Sequence, residues 1–100
     1  MRSTTIKIPL YFEKLTIKVV DELDKPEYAA YVSFFPDRMV LNITPDATPG
    51  VIAHEAVHIA NYVFKQCCIL PDLDNDEPQA YLIGWIVEQI AGVIERSNRV

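Results

Sequence analysis

Histidine is almost missing from this chain. There are two in one hundred residues, His54 and His58, and they fall in one five-residue stretch, "HEAVH". Cysteine is as scarce: Cys67 and Cys68 are the only two, and they are adjacent. Neighbouring cysteines rarely bond each other and two make no disulfide framework, so reduced thiols and a cytoplasmic location are expected. Their spacing also departs from the Cys-x-x-Cys of a zinc pair. Basic residues are few. Residues 1–50 carry six Lys/Arg against seven Asp/Glu, and residues 51–100 carry three against seven, for a net charge of −5. With no basic cluster to meet a phosphate backbone, nucleic-acid binding is not expected. Long apolar runs are absent too, which argues against a membrane span. The start, "MRSTTIKIPLYFEKL", lacks the apolar stretch and small-residue cleavage site of a signal peptide.

What is present fits one globular domain over residues 1–100. Half the residues are hydrophobic and 23% are charged, an ordinary balance for a chain of this size. Its core must be modest, and a bound metal would be a useful staple. The pattern switches near residue 45 from β-rich to α-rich. "TTIKIPLYF" (Thr4–Phe12) and "KLTIKVV" (Lys14–Val20) read as a tight hairpin turning near Glu13, with Pro9 favouring an edge or a bulge. "YAAYVSFF" (Tyr28–Phe35) and "RMVLNI" (Arg38–Ile43) read as a second hairpin, turning at Pro36-Asp37. Thr48 followed by Pro49 is a helix start, with a hydroxyl N-cap and a proline whose missing N–H costs nothing there. That helix is predicted over Pro49–Gln66. An acidic loop follows, and Asp74 or Asn75 is expected to cap a second helix reaching Arg96, with a fraying tail. Trp85 and the isoleucines of that helix are expected in the core.

At 100° per residue, Ile52, Ala53, Ala56, Val57, Ile59, Ala60, Val63 and Phe64 form the apolar arc of the first helix. His54, Glu55 and His58 fall on the other side. Four residues is about one turn, so the two imidazoles project together and can share one ion. Glu55 points aside, toward a water that the ion would hold. This is why the His-Glu-x-x-His spacing suits metal-assisted hydrolysis.

A catalytic zinc takes three protein ligands and keeps one open position. No third histidine exists, so a carboxylate must serve. The downstream candidates are Asp72, Asp74, Asp76, Glu77, Glu88 and Glu95. Glu77 is preferred and Asp76 is its main rival. Glu77, Tyr81, Gly84 and Glu88 share one face of the second helix, with Ile83, Ile86, Val87, Ile90 and Ile94 opposite. Gly84, without a side chain, would let the two helices approach closely. "DLDNDE" begins like a calcium loop, but Glu77 stands where glycine is needed and Ile83 where the final glutamate is needed, which excludes an EF-hand.

With "HEAVH" and "EPQA" (Glu77–Ala80) identified, the chain resembles small zincin-like metallopeptidase domains of the ImmA/IrrE type. It also resembles minimal gluzincin-like proteins encoded by phages and mobile elements. The resemblance covers roughly residues 48–85. It implies an α+β, zincin-like fold: a small antiparallel sheet of about four strands packed on the active-site helix and a C-terminal helix. It further implies Zn2+ on His54, His58 and Glu77, Glu55 as general base, and a peptide or protein substrate held against an edge strand. "RMVLNI" is the candidate for that strand. A tyrosine would assist the oxyanion, with Tyr81 preferred and Tyr62 second. Two other classes compete with this peptidase: a zinc-binding regulatory or interaction protein without turnover, and a metal-free helix–sheet protein.

Overall fold

The computed structural model describes residues 2–25 and 27–99. Four strands precede two helices: β1 (Arg2–Ile8), β2 (Glu13–Val19), β3 (Ala30–Phe34), β4 (Met39–Ile43), α1 (Pro49–Gln66) and α2 (Glu77–Asn98). The α+β reading therefore holds. Among the described residues, no helix is long and apolar enough to cross a membrane.

The sheet is mixed rather than antiparallel, in the order β1-β2-β4-β3. Both expected hairpins form: β1 pairs antiparallel with β2, and β3 with β4. They join through a parallel seam, with Leu15 opposite Met39 and Val19 opposite Ile43. The reason lies in β4. Met39, Val40, Leu41 and Ile43 are all buried, and a near-continuous apolar strand is stable only with neighbours on both sides. "RMVLNI" is thus an interior strand, and the edge beside α1 belongs to β3.

The first hairpin turns earlier than its residues suggest. β1 ends at Ile8, and Glu13 is already the first residue of β2, paired with Ile8. Pro9 has no N–H for the ladder, so pairing stops there. Residues 9–12 close the turn with Leu10 (φ 73°) and Phe12 (φ 59°) in the left-handed region. The second hairpin turns where expected, with the Phe35 N–H donating to Arg38 O at 2.8 Å.

Alternation sends Leu15, Ile17, Val19, Met39, Leu41 and Ile43 to one sheet face, where both helices cover them. The opposite face is polar: Thr5 and Thr16 join hydroxyls at 2.9 Å across β1 and β2. Helix α1 has the limits its capping residues predict. Thr48 Oγ1 accepts the Val51 N–H at 3.2 Å, and Pro49 opens the first turn. It ends in a Schellman arrangement. Cys68 is left-handed (φ 57°) while Cys68 N–H donates to Lys65 O and Ile69 N–H to Phe64 O. Both cysteines are free thiols.

Helix α2 starts later than predicted. Its N-cap is Asp76, not Asp74 or Asn75, and no side chain caps it. Asp72 explains the delay: its carboxylate accepts the Asp74 N–H at 2.9 Å, holding that segment in a turn. The helix also runs past Arg96, and Asn98 donates to Pro45 O at 3.3 Å. Its buried residues are Leu82, Ile86, Ile90, Val93 and Ile94. Ile83, Val87 and Trp85 sit at the margin, so Trp85 is not a core residue. Gly84 is exposed, and a side chain there would meet nothing within 4 Å. It makes no close helix approach.

Candidate metal centre

The first half of α1 lies along β3, the free edge of the sheet. Its buried stripe is Ile52, Glu55, Ala56, Ile59, Ala60, Val63 and Phe64. Ala53 and Val57 are exposed, so the apolar arc read from the sequence is displaced toward Glu55. Glu55 is only 7% exposed, the one buried charged residue among those described. The helical wheel put Glu55 on the solvent side because it treated burial as a property of apolar residues alone. Here β3 covers one flank of α1 and draws the carboxylate's stem beneath it.

His54 and His58 remain outside that stripe, one turn apart and exposed. Their rings meet edge to face with centroids 4.8 Å apart, and the two Nε2 atoms are separated by 3.2 Å. As a hydrogen bond, this contact needs one ring to donate and the other to accept, hence at least one neutral imidazole. It also has the dimension of a metal site. Two nitrogens bound at about 2.0–2.1 Å to one tetrahedral ion stand roughly 3.3 Å apart. Glu55 Oε2 lies 3.9 Å from His54 Nε2. Burial pushes the Glu55 carboxyl above its ordinary range, while His54 and His58 pull it back. The result is a proton acceptor held next to two ring nitrogens.

Two adjoining hollows open over these residues, of about 410 and 320 Å³. His54, Glu55, Tyr28 and Ala30 border both, so they form one groove between α1 and β3. The end beside Thr48 includes Glu27, and the other end includes Phe34 and His58. Tyr31, also on the groove, donates its hydroxyl to Asp24. That hydrogen bond, followed by partial burial and the Asp24 charge, raises its pKa. Phe34 stacks on Tyr62 with centroids 4.3 Å apart, closing the far end.

Sequence reasoning missed the β3 side of this groove. The aromatics of "YVSFF" read as ordinary strand residues, and "RMVLNI" was the expected edge. Only the parallel seam, which sends β3 outward, gives Glu27, Tyr28 and Tyr31 their positions. Three named residues are not drawn into the groove. Tyr81 is 74% exposed and borders a separate apolar hollow with Leu10 and Trp85. Glu77 is exposed at the start of α2 and borders neither part of the groove. Gln79, two residues on, donates to Asn61 Oδ1 at 2.8 Å, so the first turn of α2 docks one turn beyond His58. Asp76, the rival ligand, is exposed as the N-cap of α2. Among the described residues, no group of three or more His, Cys, Asp or Glu side chains is gathered around one point. The imidazole pair fits a metal ion, and the third donor is not assembled with it.

Searches against protein-family models, curated proteins and solved structures give no match to this chain.

Proposed function

We propose that the chain is a zinc-dependent peptidase whose groove lies between α1 and β3. The observation that carries this reading is the His54–His58 nitrogen pair at 3.2 Å with the buried Glu55 carboxylate beside it. His54 and His58 would hold the ion, and a carboxylate would complete the set. Glu77, at the start of the helix that docks on Asn61 one turn beyond His58, is the carboxylate we propose for the third position, although it lies outside the groove. Zinc, when bound, would supply an activated water near neutral pH and a Lewis acid for the scissile carbonyl. Glu55 accepts the proton of that water and delivers it to the departing amine, a role favoured by its raised pKa. An extended peptide adds to the free edge of β3 through main-chain hydrogen bonds, with Tyr28 and Phe34 flanking its side chains. Tyr28 borders the groove and replaces Tyr81 as the candidate to hold the oxyanion, whereas the Tyr31 hydroxyl is committed to Asp24. The free thiols Cys67 and Cys68 fit a reducing, cytoplasmic setting.

The test is elemental analysis of the purified protein, followed by digestion of a fluorogenic peptide library. Wild type is expected to carry one zinc and to cleave. Glu55→Gln is expected to keep the zinc and lose about 10²–10⁴-fold in turnover. Zinc-loaded wild type without cleavage would instead favour the non-catalytic reading, a regulatory or interaction protein stapled by its metal. The exposed position of Glu77, outside the groove, is what keeps that alternative in view. Chelation separates the two further: it should silence a peptidase and unfold a metal-stapled binding protein.

A further inference from the structure

A second groove, of about 360 Å³, lies at the opposite edge of the sheet, bounded by the β1–β2 turn and the first turns of α2. Its walls are nearly all apolar: Ile8, Leu10, Tyr11, Tyr81, Leu82 and Trp85 among them. Several of these groups are turned to solvent when nothing obliges them to be. Leu10 is 87% exposed, and its neighbour Phe12 is 77% exposed. Both hold left-handed backbone conformations that bulky residues avoid. An outlier of this kind, presenting apolar side chains outward, is a mark of a binding surface.

The electrostatic setting says what fits. From Gln66 to Glu95 the chain carries six acidic residues and no basic one. Four of them, Asp72, Asp74, Asp76 and Glu77, are exposed in and just after the loop joining the helices. Both ends of that loop are tied to the groove. At one end Cys67 Sγ contacts Tyr11 O, and at the other Pro78 forms part of the wall. The same loop exposes Leu70 and Leu73 almost completely. Lys7 and Lys14 pair across β1 and β2 by register, on the sheet face away from the helices. The groove is therefore an apolar trough whose Pro78 wall is directly preceded by Asp76 and Glu77, with Asp72 and Asp74 in the loop between its two anchored ends. On the turn side, Lys7 Nζ rests 5.4 Å from the Phe12 ring centroid.

We propose that this groove docks a basic amphipathic segment of a partner protein. Apolar side chains of the partner enter between Leu10 and Tyr81, and its Lys or Arg side chains face Asp72, Asp74 and Asp76. A second copy of this chain is the poorer occupant, since each copy carries −5. An anionic lipid surface is disfavoured by the same acidic residues. The proposal stands apart from the peptidase reading, because it uses neither the histidines nor a metal.

Trp85, the chain's only tryptophan, borders the groove and reports on it directly. The probe is a synthetic amphipathic helix of leucine and lysine, titrated into the intact chain while Trp85 emission is recorded. Saturable binding with a blue shift is expected, weakened about ten-fold or more as salt rises from about 0.05 to about 0.5 M. The double variant Leu10→Asn/Tyr81→Ser should bind about ten-fold more weakly while keeping the wild-type circular dichroism spectrum. Both positions are exposed, and asparagine tolerates the left-handed backbone of residue 10. A leucine–glutamate peptide of the same pattern should leave Trp85 unmoved. The proposal is overturned if the leucine–lysine peptide gives no shift, if the double variant binds it as well as wild type, or if the glutamate peptide binds equally. A blue shift with phosphatidylglycerol vesicles, or one that follows self-association in sedimentation, would overturn it in favour of those occupants.

Discussion

The two edges of the sheet are built from the same kinds of element but line their grooves with opposite kinds of side chain. At the β3 edge, a helix lies along the outer strand, and the groove between them holds two imidazoles, a buried carboxylate and two phenols. At the β1 edge, a strained turn meets the start of the other helix, and the groove is almost free of polar groups. One edge concentrates proton-exchanging groups in a fixed geometry. The other concentrates area and leaves charges out of its lining. The comparison shows that a chain of this size can place a polar, titratable groove and an apolar one at opposite margins of a single apolar layer, Leu15–Val19 and Met39–Ile43.

Changes that act on one edge should leave the other intact. The largest effect is expected from His54→Ala/His58→Ala, which removes both nitrogen donors. Zinc affinity measured by competition with a chromogenic chelator should fall by two orders of magnitude or more, about 3 kcal/mol. The Trp85 response at the other edge should not move. If zinc affinity persists, the ion sits elsewhere. A smaller effect is expected from Thr48→Ala, which deletes the hydroxyl that accepts the Val51 N–H. Chemical denaturation should report a loss of about 1 kcal/mol, and amide exchange should rise first in the opening turn of α1, ahead of α2. An unchanged midpoint would show that Pro49 alone sets the start of α1.

Gly84→Ala works in the opposite direction. The position is exposed and helical, with room for a side chain, so stability should rise by about 0.5–1 kcal/mol. A loss instead would restore the idea that α2 needs a bare surface there. The subtlest test concerns pH, in protein stripped of metal with chelator. Burial raises the Glu55 pKa in the folded state above its unfolded value. The folded chain then holds this proton more tightly, and the stabilisation is full below the unfolded value and lost as pH rises through the folded one. Wild type should therefore lose stability relative to Glu55→Gln as pH climbs from about 4 toward neutrality. A difference that stays flat across that range would mean Glu55 is effectively solvated.

The two edges also differ in how far the residues alone disclose them. The α1 limits, the imidazole pair and the second hairpin turn follow from local rules: a hydroxyl before proline, a four-residue spacing, and Pro36-Asp37 between apolar runs. The β3 side of the groove does not. It depends on β4 entering between two hairpins, a long-range choice that no local period encodes. Glu55 was misplaced for a related reason, since a wheel cannot know which flank a strand will cover. Tyr81 and Gly84 shared a face with Glu77 as read from the sequence, but rotation of α2 about its Leu82–Ile86–Ile90 stripe turns that face to solvent. Leu10 and Phe12 were counted as strand residues because nothing in their chemistry announces a positive φ.

The parallel seam has a bearing on how the molecule comes together. Each hairpin is closed by a short turn and joins near neighbours in sequence, whereas the β2–β4 seam closes a larger loop that contains all of β3. Closing that larger loop is the slow topological step. Until it is complete, α1 has no floor beneath Ile59 and Val63. On this topology the imidazole pair is expected to gain its bearing on the rest of the chain only once the seam has closed, so that an ion arriving earlier would find a helix but no cleft.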